Sequence, residues 1–150
     1  VLFFNKEIFR KLKIFDKNIF LFFEENDYSY RANKQNFYSY QVNSIKVYHQ
    51  HGKSVKITNK KDKNVIKLLT TWHFTWSKFY FYKKHYTRLL SLIYLTPLIM
   101  RCLVKVFFYS RDLKSYNYIK YKMRAHAILT SLKNQSSYLR EKNIREILNY

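Results

Sequence analysis

The sequence predicts a mainly helical α+β domain, and three patterns carry that prediction. Val65, Leu68, Leu69, Trp72, Trp76, Phe79, Tyr80 and Lys83 keep helical spacing, which predicts one long helix over about 62–95. Tyr121, Ala125, Ile128, Leu129 and Leu132 repeat that spacing and predict C-terminal helices. Ile45 and Val47 alternate with Lys46 and Tyr48, and Val55 and Ile57 alternate with Lys56 and Thr58. Gly52, the only glycine, stands between these runs where a tight turn needs a positive φ, so a small β-hairpin is predicted over about 42–58.

The other elements follow in chain order. Leu12, Phe15, Ile19, Phe22 and Phe23 recur among basic residues and predict an amphipathic helix that the acidic "EENDYS" ends. "YSYRANKQNFYSY" has no period, so about 24–41 is expected to be extended and, like the termini, to order on a partner. Asp62 is the expected cap of the long helix, and no turn residue interrupts the chain between Lys67 and Leu95. "CLVKVFFYS" reads as a strand or as a continuation of the apolar run before it. Asp112 is expected to open the next helix, "NQSS" to break it, and Ser137 to start a short last one. With 150 residues and no linker or repeat, one domain is expected.

Charge narrows the partners. Lys and Arg number 29 against 9 Asp and Glu, a net +20, and from Tyr28 to Arg140 the only acids are Asp62 and Asp112. Such a chain repels itself unless a polyanion screens it; nucleic acid is the first candidate and an anionic membrane surface the second. Cys102 is the only cysteine, so no disulfide is expected within the chain. "VLFFNKEIFRKLKIF" reads as neither a secretory signal nor a transit peptide.

No catalytic constellation is legible. One glycine cannot build a phosphate loop or a nucleophile elbow, and the acids are too few and too clustered towards the ends for a carboxylate pair. His49 and His51 come nearest to a metal pair but lack a second pair at zinc spacing. A non-enzymatic protein without metal or cofactor is therefore expected. "LLSLIYLTPLIM" is apolar for 12 residues, where a membrane span takes about 20, and extending it to Tyr109 includes Arg101 and Lys105.

"TWHFTWSKFYFYKKHY" over residues 71–86 is dense in rings. Stacking a base on an exposed ring is worth about 1–3 kcal/mol, but most of these positions fall at helical spacing and are expected to be core. Basic residues interleaved with tyrosine point to RNA held through its phosphates. The residues expected to make those contacts are Arg31, Lys34, His49, His51, Lys53, Lys56, Lys60, Lys61, Lys63, Lys83, Lys84, Arg88, Arg111, Lys114, Lys120, Lys122 and Arg124.

Composition adds a resemblance. The chain has 1 Gly, 1 Pro and 3 Ala against 13 Phe and 15 Tyr, and it is rich in Lys, Asn and Ile, the residues of AT-rich codons. Small size, high charge and this usage together resemble the mitochondrially encoded ribosomal proteins of protists such as ciliates. The resemblance implies a structural component of a mitochondrial ribosome in the matrix, with rRNA and other ribosomal proteins as partners and a lean towards the small subunit. Scarce glycine departs from many universal ribosomal families, which implies a diverged or lineage-specific member. The rival expectation is a membrane-embedded accessory subunit of a respiratory or ATP-synthase complex.

Overall fold

The computed structural model describes residues 3–13, 15–48 and 59–147. Six helices run through them in order: α1 (Lys6–Leu12), α2 (Glu24–Asn33), α3 (Lys60–His85), α4 (Arg88–Tyr109), α5 (Tyr116–Leu132) and α6 (Glu141–Ile147). No strand occurs among the described residues, so the α+β expectation gives way to an all-helical fold. The predicted hairpin fails on its first arm. Residues 41–48 are irregular and exposed, with Ile45 and Val47 more than half accessible, so their alternation buries neither face. The tip and second arm lie outside the described residues.

Helix α3 is the spine. Val65, Leu68, Trp72 and Trp76 bury themselves against Met123 and Ala127 of α5 and against Leu139 and Ile144. One turn further along, Phe79 joins Leu95 and Cys102 of α4 and Tyr121 and Ile128 of α5 in a second cluster. The ring-rich stretch therefore supplies the core, and the Trp72 indole also donates to His126 Nδ1 at 3.0 Å.

The predicted long helix is in fact two. Asn59, not Asp62, caps α3: its side-chain oxygen accepts from the Asp62 N–H at 2.8 Å, while the Asp62 carboxylate pairs with Arg145 of α6. Lys83, Lys84 and His85 fill the last turn, where cations complement the helix dipole. The break falls at Tyr86 and Thr87, ten residues before the proline. Thr87 Oγ1 accepts from Leu90 N at 3.1 Å and starts α4, which carries Pro97 inside it and runs on as helix from Cys102 to Tyr109, with Ser110 as its C-cap. A threonine cap, not glycine or proline, wrote this boundary.

Two further expectations are corrected. The amphipathic helix over the first 23 residues stops at Leu12, and Phe22 and Phe23 take left-handed φ values of 66° and 69°. Such geometry costs about 1–2 kcal/mol per non-glycine residue. It is held by both rings meeting Phe74, at 5.7 and 5.5 Å, and by Ser77 Oγ donating to Leu21 O at 2.9 Å. The acidic run starts a helix, since Glu24, Glu25 and Asp27 occupy the first turn of α2 where carboxylates suit the dipole. The expected extended segment over 24–41 is therefore helical in its first part.

Helix α5 is capped by Ser115, whose Oγ accepts from Tyr118 N at 3.2 Å, while Asp112 only tightens the turn before it. Its inward faces are also two. Met123, Ala127 and Thr130 face inward along with Tyr121 and Ile128, whereas Leu129 of the predicted stripe is 56% exposed. A helix wedged between two neighbours buries a wider arc than a single stripe shows.

Candidate nucleic-acid interface

Three of the expected phosphate-binding cations are spent inside the fold. The Asp27 carboxylate is fully buried and takes Lys84 Nζ at 2.6 Å, His85 Nε2 at 2.7 Å and Arg31 Nε at 2.8 Å. Lys84 also reaches Asp16 Oδ2 at 2.8 Å, and the Tyr80 hydroxyl donates to the same oxygen at 2.8 Å. Burial pushes the Asp16 carboxyl up, but the bonds from Lys84, the Asn18 backbone and Tyr80 outweigh it and bring it down to about 2. The same contest, with Lys84, His85 and Arg31 as donors, lowers Asp27 below the usual carboxylate range. Burial and then the Asp16 carboxylate raise the Tyr80 phenol to about 12. Burial lowers His85, so its neutral ring donates to Asp27. This node ties α2 and the segment after α1 to the end of α3.

Lys83 is likewise internal. Its ammonium donates to the Ser131 carbonyl and to Asn134 Oδ1 at 2.7 Å, closing the C-terminal end of α5. Burial, with Arg88 nearby, lowers its pKa. Arg31, Lys83 and Lys84 thus serve the fold, and their expected role at phosphate is revised.

The other expected residues fall into groups. Lys60, Lys61 and Lys63 are exposed on the first turn of α3. Arg88 opens α4, and Arg111 and Lys114 are exposed in the turn between α4 and α5. Lys34, just past α2, lies 4.9 Å from the Tyr30 ring centre. Lys122 sits on the outer side of α5, 5.8 Å from the Tyr118 ring. His49, His51, Lys53 and Lys56 lie outside the described residues.

Lys120 and Arg124 stand apart because α4 meets them. Tyr109 of α4 stacks on Tyr121 of α5, with ring centres 6.0 Å apart and planes 15° from parallel. Lys105 lies 5.5 Å from the Tyr109 ring, and Lys120 and Arg124 lie 5.9 and 5.4 Å from the Tyr121 ring. All three cations are half-buried, and no carboxylate pairs with any of them among the described residues. The Arg124 Nε is shielded from solvent with no acceptor. Cation–π contacts offset part of the desolvation, but three like charges around one tyrosine pair still repel one another. An anion relieves that repulsion, and the flat tyrosine faces beside it suit a base or a sugar.

Lys120 and Arg124 are among the phosphate contacts the sequence leads one to expect, whereas Lys105 figures there only as a cost against a membrane span. The missing signal was tertiary, because nothing in the spacing says that α4 folds back along α5. No group of three His, Cys, Asp or Glu side chains is placed to hold a metal among the described residues. Comparison with protein-family models, with curated proteins and with solved structures returns no match.

Proposed function

We propose that this protein is a structural component of a mitochondrial ribosome, with a lean towards the small subunit, that holds rRNA through phosphate contacts and touches neighbouring ribosomal proteins without catalysing a reaction. The observation that carries the reading is the cluster of Lys105, Lys120 and Arg124 around the Tyr109–Tyr121 stack, half-buried and without an acidic partner among the described residues. Phosphate supplies the missing charge. The net +20 over the whole chain supports the same partner, since an rRNA backbone offers dense negative charge and no base-reading element is needed. The exposed cations of α3's first turn extend the contact.

The test is a salt titration of RNA affinity. Each phosphate neutralised on single-stranded RNA contributes a log–log slope of about −0.7. Replacing Lys105, Lys120 and Arg124 together with glutamine is therefore expected to make the slope about 2 units shallower. An unchanged slope with weaker binding, or no effect at all, would remove the cluster from the interface.

A further inference from the structure

Helix α4 has a second face that nothing among the described residues covers. Its inward residues are Ser91, Leu95 and Cys102, of which Leu95 and Cys102 pack with Phe79 of α3 and Tyr121 and Ile128 of α5. The opposite face carries Leu89, Ile93, Met100, Val104, Phe107 and Phe108, each more than half exposed, with Phe107 at 82%. These positions recur at helical spacing along 22 residues, or about 33 Å at 1.5 Å per residue. The helix has a mean hydropathy of 1.8 over its most apolar stretch and contains no acid. A contiguous apolar face of this length, unlike scattered single exposures, marks an interaction surface.

The chemistry of the face and its edges selects the occupant. The one hydroxyl on it, Thr96 Oγ1, donates back to Leu92 O at 2.8 Å, so the side chains here present only hydrocarbon. A protein interface ordinarily mixes hydrogen bonds with its apolar contacts, at about one per 100–200 Å². A second copy is disfavoured because it would bring +20 against +20. Exposed Arg88 stands at one end of the helix, Arg111 just beyond the other, and Arg101 on the flank. Apolar face and cationic edge together match an anionic lipid surface, whose headgroups take the cations while its acyl chains take the rings. Depth follows from the packing. Because α4 lies along α5, an upright insertion would carry Lys120, Lys122 and Arg124 into hydrocarbon, where each is costly.

We infer that α4 is a membrane-contact helix, lying flat on an anionic bilayer with its outer face at the headgroup–acyl boundary. The inference does not rest on the RNA reading, although the two surfaces adjoin at Lys105, whose ammonium lies 5.6 Å from the Phe108 ring. It is tested with the full chain synthesised cell-free beside vesicles, followed by flotation. Vesicles of phosphatidylcholine with phosphatidylglycerol are compared with vesicles of phosphatidylcholine alone. The variant Ile93→Asn, Val104→Asn, Phe107→Ser changes only exposed side chains, and Leu113→Ser, exposed outside α4, is the control.

The wild type and the control are expected to float with the anionic vesicles, to remain in about 1 M salt, where screening acts within ~3 Å, and to be released by alkaline carbonate. The triple variant is expected to float at least tenfold less in that salt while keeping its RNA affinity. Failure of the wild type to float would overturn the inference and leave the face to a protein partner. Flotation that high salt abolishes, or that the triple variant retains, would show charge acting alone. Resistance to carbonate would overturn the flat geometry in favour of an embedded subunit. None of these outcomes bears on the salt slope of RNA binding, so the two readings fail separately.

Discussion

Replacing Asp27 with asparagine removes a carboxylate that three donors share inside the fold. Lys84, His85 and Arg31 lie 2.6, 2.7 and 2.8 Å from its oxygens, and the carboxylate has no solvent exposure. Breaking a buried ion pair by deleting one partner costs about 3–5 kcal/mol, because the surviving charge is left without compensation. Two features pull the value to the low end. Lys84 keeps Asp16 at 2.8 Å, and Arg31 keeps the Leu12 carbonyl at 3.0 Å. Both cations are also partly accessible, at 27% and 22% of their side chains. A loss of about 3 kcal/mol follows, or a fall in Tm of roughly 6–12 °C for a chain of this size. Trp72 and Trp76 sit in the core of α3 and report unfolding by fluorescence, measured with saturating single-stranded RNA to hold the charged chain soluble. A loss below about 1 kcal/mol would refute the claim that Asp27 ties α2 to α3.

Acid should act through the same node. Asp16 titrates at about 2 instead of 3.8, so its contribution is fully present above about pH 4 and disappears as pH falls through 2; the urea midpoint should reflect about 2 kcal/mol. Thr87→Ala removes the cap between α3 and α4 and should cost about 1 kcal/mol, with faster amide exchange at the start of α4 and unchanged exchange at Trp72. Circular dichroism of the chain alone at physiological salt should show less helix than after RNA is added, because the net +20 is then screened. A helical content that ignores RNA across a salt series would contradict that expectation.

The core of this fold was legible, and its boundaries were not. Helical spacing of Val65, Leu68, Trp72, Trp76 and Phe79 found α3 because a helix packed on one face writes its period into the chain. The same logic misplaced Leu129, since α5 touches two partners and its buried arc is wider than a stripe. The break at Thr87 was illegible because a capping hydroxyl in an aromatic run resembles any other polar residue. Phe22 and Phe23 adopt a left-handed turn that their type disfavours, and only the rings of α3 explain it. The hairpin rests on an alternation whose first arm is exposed on both faces among the described residues. At the candidate interface, basic residue type alone could not separate Lys84, which serves Asp27, from Lys120, which pairs with no acid among the described residues. The division depends on which cations the nine carboxylates reach, and that is a property of the tertiary structure.

The proposed role rests most directly on where the protein travels when mitochondria are dissolved. Lysis in non-ionic detergent, followed by sedimentation through sucrose in moderate salt, separates ribosomal particles from respiratory and ATP-synthase complexes. The protein is expected to sediment with rRNA, to leave that fraction after ribonuclease, and to be stripped from it as salt rises, as phosphate contacts require. Co-migration with an inner-membrane complex, unaffected by ribonuclease, would contradict the ribosomal assignment.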